Sequence, residues 1–212
     1  MTAALVPVKH LAAGKSRLAS VLGRPSAERL ALAMLEDVVS ALRAVPRLDP
    51  VAVVTPDLEV ARAAQRAGAL ALVRSDPGLN ESLDAAGRDL AANGDGSLLV
   101  VLGDVAGVLA KDVETLLDAL PDTPGAVLAA ARDGGTAALL RAPWNAIPSC
   151  FGPDSGARHC AEAARLGVPL TELALPSLRI DLDSESDLKD FLAEPGGGER
   201  TRLALRAMGH SA

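Results

Sequence analysis

Apolar positions along the chain follow two alternating patterns. Short runs of Ala, Val and Leu give way to stretches where Leu and Val recur at helical spacing. The runs read as strands buried on both faces, and the stretches as amphipathic helices. Ala3 to Val8 opens the chain as a strand. Leu30, Leu35, Val38, Val39 and Leu42 predict a long helix to about residue 44, with Ser26 as its N-cap. Strands are expected at Val51–Thr55 and Ala69–Val73, around a short helix over 58–67 that Gly68 ends. Ser75 to Asn80 is dense in turn formers and opens a helix from about 80 to 92, which Asn93-Gly94-Asp95-Gly96 closes.

The next run, Ser97-Leu98-Leu99-Val100-Val101-Leu102-Gly103-Asp104, is apolar without interruption and stops at a glycine and a carboxylate. It reads as the central parallel strand, with Asp104 just beyond its carboxyl end. Ligand crevices open there in α/β sheets. Locally, Asp104 is equally a turn former or a helix cap. Beyond it the pattern predicts a helix at about 110–119, a strand from Ala126 to Ala131 and a short strand at Leu139-Leu140. A helix follows from Ser155 to about 166, then strand-like pieces at 170–174 and 178–182, and a helix to about 192. Pro195-Gly196-Gly197-Gly198 is linker-like and divides residues 1–193, the expected domain, from a tail at 194–212 that forms an Arg-rich helix or frays. Alternating strands and helices with short connections predict one α/β domain, three layers around a mostly parallel sheet.

Composition narrows the function. The 212 residues carry a formal net charge of -6, which argues against nucleic acid or an anionic membrane as partner. With one Trp, two Phe and no Tyr, the chain has no base-stacking platform. Cys150 and Cys160 lack metal-ligand spacing and read as reduced thiols. No signal peptide or membrane-length apolar run is evident, so the expected location is the cytoplasm.

Three clusters carry chemistry. The loop after the first strand holds Lys9, His10, Lys15, Ser16 and Arg17, cations suited to a nucleoside triphosphate, yet it matches neither a Walker A loop nor GxGxxG. Asp181 and Asp183 alternate along a presumed strand and so face one side; with Asp104 they would suit Mg²⁺. Ser184 to Asp187 beside them reads as an acidic helix N-terminus. Gly134-Gly135-Thr136 and Phe151-Gly152-Pro153-Asp154-Ser155 offer backbone amides to an anion, and His159 lies one turn into the following helix. His159 reads either as part of that site or as a structural hydrogen-bonding group.

Taken in order, Val6-Pro7-Val8-Lys9, Lys15-Ser16-Arg17-Leu18, Gly78-Leu79-Asn80, Gly103-Asp104, Gly134-Gly135-Thr136, Phe151-Gly152-Pro153-x-Ser155 with His159, and Asp181-x-Asp183 resemble one family. It is the phosphoenolpyruvate or 2-phospho-L-lactate guanylyltransferases of coenzyme F420 biosynthesis. The resemblance runs from about residue 4 to 192. It implies a Rossmann-like nucleotidyltransferase fold, shared with nucleotide-diphospho-sugar transferases, and transfer of GMP from GTP to a phosphorylated three-carbon acid. It further implies GTP at Pro7, Lys9, Lys15 and Asn80, the acid at Thr136, Gly152, Ser155 and His159, and Mg²⁺ at Asp104, Asp181 and Asp183. Lys15, Arg17 and Asp104 would be catalytic, and transient contact with the next enzyme of the pathway is expected.

The acceptors open to the family are phosphoenolpyruvate, 2-phospho-L-lactate and 3-phosphoglycerate. The excess of arginine over lysine, as in high-GC bacteria, favours the first. This chain departs from the family pattern at Val105-Ala106-Gly107, where Leu-Pro usually follows the aspartate, and at Ala137, where an asparagine is usual. A transferase acting on a sugar phosphate or molybdopterin, and a nucleotide-binding relative without activity, are the alternatives.

Overall fold

A computed structural model describes residues 1–75, 77–91 and 96–210. Asp76 and Asn93–Asp95, read above as turn formers, lie outside the described residues. Seven strands form one sheet: β1 (Thr2–Pro7), β2 (Leu48–Thr55), β3 (Leu70–Val73), β4 (Ser97–Val101), β5 (Gly125–Ala130), β6 (Thr136–Ala142) and β7 (Leu170–Leu173). Their order across the sheet is β3-β2-β1-β4-β6-β5-β7. β4 is central as expected, with Ala4 opposite Leu99 and Leu5 opposite Val100 on parallel β1. β6 runs antiparallel to both its neighbours, pairing Val101 with Ala138 and Leu128 with Leu139.

Strand alternation fills both faces. Ala4, Val6, Leu99 and Val101 pack under α2 (Arg24–Arg43), α3 (Leu58–Arg66) and α5 (Ala110–Asp118). Ala3, Leu5, Leu98 and Val100 pack under α4 (Leu79–Leu90) and α6 (Ser155–Leu166). This is the three-layer arrangement, built from Ala, Val and Leu because so few aromatics are present. A third cluster joins α2 to α1 (Ser16–Leu22), α7 (Glu185–Ala193) and α8 (Glu199–Ala207) through Leu18, Leu30, Met34, Leu188, Phe191 and Leu205.

Two local expectations are corrected. Ser26 is not an N-cap: α2 begins at Arg24 after Gly23, because Pro25 suits the first turn and carries the helix start three residues earlier. Residues 178–182 are not a strand. Pro176–Leu178 is a 3₁₀ turn, and the segment beyond it makes two isolated main-chain contacts, Arg132 N to Arg179 O at 3.0 Å and Leu182 N to Asp104 O at 3.1 Å. Ile180 and Leu182 are buried, so the alternation records burial of one side without a ladder. No helix among the described residues is long and apolar enough to cross a membrane.

Candidate active site

The carboxyl ends of β2, β1 and β4 lie side by side, and a cleft of about 340 Å³ opens above them. Pro7, Val8 and Lys9 after β1 and Leu102, Gly103 and Asp104 after β4 form one part of its lining. Thr55, Ser75, Leu79 and Ser82 form another, and Ala27, Ala31 and Met34 of α2 close the side. Gly103 keeps this junction tight: a Cβ there would stand 3.2 Å from the Pro7 carbonyl oxygen and 3.0 Å from a Val8 methyl, so these neighbours would have to give by a few tenths of an ångström.

The loop from Lys9 to Lys15 is fastened from outside. Leu11 N donates to Asp57 Oδ2 at 3.1 Å, and Arg24 Nη1 donates to the Gly14 carbonyl at 2.7 Å. Burial works to raise the Asp57 pKa, but the amides of Leu11, Glu59 and Val60 outweigh it and hold the carboxyl below its ordinary value. Thus Asp57 serves two ends at once, capping α3 and tying down the loop. Neither Asp57 nor Arg24 was legible as part of the site, since nothing in sequence spacing links them to residues 11–14.

Lys15 ends this loop in a left-handed conformation, φ 49°. Its Nζ donates to Asp104 Oδ2 at 2.6 Å and also to Asp183 Oδ1. Burial disfavours the charge on Lys15, yet the two carboxylates outweigh it and hold its pKa above the ordinary lysine value. Asp181 completes the cluster, one oxygen each from Asp104, Asp181 and Asp183 lying within 4.8 Å of one another. Burial first, and then the Asp104 charge, push the Asp181 pKa up to about 6. Asp104 Oδ1 is buried without a hydrogen-bond partner. An orphaned carboxylate oxygen in an all-oxygen donor set under mutual repulsion fits a hard divalent cation such as Mg²⁺.

The Asp183 backbone is itself held. Asp187 Oδ2 accepts from Asp183 N at 3.2 Å and Ser184 N at 2.7 Å, in the capping box of α7, while Arg132 Nη2 donates to Asp187 Oδ1 at 2.7 Å. The acidic helix start read from the sequence is therefore also the support of the cluster.

Because β6 runs antiparallel, its first residue, Thr136, lies near the end of β4, where Leu102 N donates to Ala137 O at 3.0 Å. The 133–135 turn and the start of α6 touch directly: Gly156 N donates to Gly134 O at 3.2 Å. Behind them His159 is fully buried. Its Nε2 accepts from Cys150 N at 2.9 Å, so Nδ1 carries the proton and donates to Thr136 Oγ1 at 3.0 Å. Burial, then the Arg141 charge, lower its pKa to about 4, so it is neutral.

A model of the family described as guanylyl transferase CofC like matches residues 2–212. The chain belongs to that family. Among relatives of this CofC-like chain, the phosphoenolpyruvate guanylyltransferase of Sphaerobacter thermophilus is 39% identical over 190 residues, 90% of this chain and 92% of its own. That of Rubrobacter xylanophilus is 39% identical over 203 residues, 95% of this chain and 98% of its own. Solved structures agree on the fold. A nucleotidyl transferase from Methanothermobacter thermautotroptrophicus superposes with a TM-score of 0.67 at 20% identity, over 98% of this chain and 99% of that one. The CMP:2-keto-3-deoxy-manno-octonic acid synthetase complexed with CTP gives 0.60 at 16% identity, over 97% and 99%. The chain is a nucleotidyltransferase.

Within this CofC-like fold the expected site residues separate. Pro7, Lys9, Lys15, Asp104 and Asp183 line the cleft, and Asp181 joins the two aspartates beside it. Arg17 is exposed on the first turn of α1 and does not line the cleft. Asn80 sits between the cleft residues Leu79 and Ser82, but its amide turns to the Phe151 backbone. Thr136, Ser155 and His159 are buried, and Gly152 is exposed. The departures from the family pattern fall in the core: Val105, Ala106 and Ala137 are all buried and packed in hydrophobic clusters.

Proposed function

We propose that this protein transfers GMP from GTP to phosphoenolpyruvate in coenzyme F420 biosynthesis, giving enolpyruvyl-diphospho-guanosine and pyrophosphate. What supports the reading most is the union of Lys15 with Asp104, Asp181 and Asp183 beside the cleft above the strand ends, in a chain whose relatives are named phosphoenolpyruvate guanylyltransferases.

In the reaction, an oxygen of the acceptor phosphate forms a bond to the α-phosphorus of GTP. The bond from that phosphorus to the β-phosphate bridging oxygen breaks, and pyrophosphate leaves with the electron pair. The acceptor phosphate is ionised at neutral pH, so no general base is required. What the reaction needs is alignment and compensation of charge. Pro7 and Lys9 wall the nucleotide, and Lys15 brings its ammonium to the polyphosphate. Thr136, Gly152 and Ser155 cradle the acceptor, and Arg17, exposed on α1 outside the cleft lining, would have to swing inward to reach the triphosphate. Asp104, Asp181 and Asp183 would hold Mg²⁺, which when bound supplies charge neutralisation for the phosphates.

The test is pyrophosphate release in magnesium buffer from GTP, ATP, CTP and UTP, each paired with phosphoenolpyruvate, 2-phospho-L-lactate and 3-phosphoglycerate. Release from GTP with phosphoenolpyruvate at the highest kcat/KM is expected. Preference for another nucleotide or another acid overturns the corresponding half of the reading.

A further inference from the structure

Asn80 stands at the start of α4 between two residues that line the cleft, yet both polar atoms of its side chain bond elsewhere. Its Nδ2 donates to the Phe151 carbonyl at 3.1 Å, and its Oδ1 accepts from the Phe151 amide at 2.7 Å. A side-chain amide thus pairs with one residue's backbone as a neighbouring strand would, across 71 positions of sequence. The preceding residue is held from the other side, Cys150 N donating to His159 Nε2 at 2.9 Å, and the Phe151 ring stands edge-on to the His159 ring at 5.0 Å. After these two pinned residues the chain turns through Gly152, φ 119°, whose carbonyl accepts from Ser155 N at 3.2 Å as α6 begins. No sheet ladder holds residues 149–154, so these side chains do that work.

We infer that Asn80 is a positioning residue for the acceptor cradle: it holds Gly152 and Ser155 in place through the Phe151 backbone and makes no contact with the nucleotide. This rests on the reading above that Gly152 and Ser155 bind the acceptor phosphate. The amide oxygen and one amide hydrogen are committed to the Phe151 backbone, which has no other hydrogen-bond partner among the described residues. Breaking that pair to reach a nucleotide would leave a part-buried N–H and C=O unsatisfied. In-line transfer in turn depends on small displacements of the acceptor, where about 1 Å can cost on the order of a hundredfold in rate. A second consequence is physical linkage. Leu79 and Ser82 wall the nucleotide cleft on the same helical turn, so α4 ties the position of the cradle to the wall of the cleft.

The experiment compares Asn80→Ala and Asn80→Asp with the wild-type chain in three measurements. These are GTP affinity by titration in magnesium buffer, the acceptor KM and kcat at saturating GTP, and amide hydrogen exchange across residues 149–156. Asn80→Ala is expected to raise the acceptor KM about tenfold or more, leave GTP affinity within about twofold, and speed exchange at 149–156 while exchange in β1 and β4 is unchanged. Asn80→Asp keeps an oxygen facing the Phe151 amide and loses the donor to its carbonyl, so its exchange rates fall between the other two. Loss of GTP affinity with an unchanged acceptor KM overturns the inference and makes Asn80 a nucleotide contact. Unchanged exchange at 149–156 overturns it as well. Should the wild-type chain turn over no phosphorylated acid, the proposed function fails, while the exchange measurement still decides whether Asn80 holds the loop.

Discussion

Asp104 and His159 show two ways of placing a polar group at the site. Asp104 sets one carboxylate oxygen on Lys15 Nζ and leaves the other buried without a hydrogen-bond partner among the described residues. Asp104→Asn removes the carboxylate charge while leaving a side chain of the same shape. Turnover is expected to fall at least about a hundredfold, with the circular dichroism spectrum unchanged; substantial residual turnover would remove Asp104 from the proposed machinery. His159 avoids charge instead. Its pKa lies near 4 in the folded protein against 6.5 when unperturbed. The unfolded chain therefore takes up a proton first as pH falls, and stability that is full above pH 6.5 is lost on descending towards 4. By pH 5 the loss from this group is about 2 kcal/mol. Urea midpoints at pH 7 and pH 5 check this: His159→Gln is expected to start lower at pH 7 but to fall less between the two. As a sequence feature His159 was ambiguous between ligand and scaffold. Neither periodicity nor spacing reveals that Cys150 and Thr136 both turn to its ring.

Elements, by contrast, were largely legible where burial alone dictates them. The helix over Leu30 to Leu42 and the strands expected from Ser97 and over Ala126–Ala131 follow from apolar spacing, and the structure has them at Ser97–Val101 and Gly125–Ala130. What was not legible is what the neighbours decide. Ile180 and Leu182 alternate with Asp181 and Asp183 as a strand would, but β7 already covers the sheet edge and no partner strand reaches them. The three aspartates still converge, because Leu182 N is anchored on the Asp104 carbonyl. Sequence alternation thus gave the facing of the acidic pair correctly from an element that is absent. The meeting of the Gly134-Gly135-Thr136 turn with α6 is another such product of the fold. A Cβ at Gly156 would lie 2.8 Å from the Gly134 carbonyl oxygen, backbone against backbone. Gly156→Ala is accordingly expected to part the turn from the helix at a cost of about 1–3 kcal/mol. The acceptor KM should rise about tenfold with GTP affinity retained. An unchanged acceptor KM would mean that the contact plays no part in acceptor binding.

At the scale of the whole molecule, α2 is the member that joins the cleft to the end of the chain. Ala27, Ala31 and Met34 line the cleft, whereas Asp37, one turn further along, faces α8. That helix has no side-chain cap of its own, following Gly198. Asp37 supplies one from a distance: Oδ1 accepts from Arg200 N at 3.1 Å, and Oδ2 accepts from Thr201 N and Thr201 Oγ1, both at 2.8 Å. A carboxylate on the first amides of a helix meets both their unpaired donors and the helix dipole. The linker-like glycines before α8 gave no hint of this, because the capping residue lies on α2, more than 160 positions earlier. Asp37→Ala leaves three buried or part-buried donors without their acceptor and is expected to cost about 3 kcal/mol, a fall in thermal midpoint of roughly 6–12 °C for a chain of this length. Thr201→Val alone should cost about 1 kcal/mol. Because the hydroxyl acts only through Asp37, adding Thr201→Val to Asp37→Ala should cost almost nothing more, and a double-mutant cycle measures that coupling. Strictly additive losses would mean that Thr201 acts through packing alone. Since Asp37 does not line the cleft and spends its carboxylate on α8, kcat/KM measured well below the transition should stay within about twofold of the wild-type value, well inside the tenfold that 1.4 kcal/mol of lost transition-state binding would produce. A larger fall would show that α2 transmits the α8 contact to the nucleotide side.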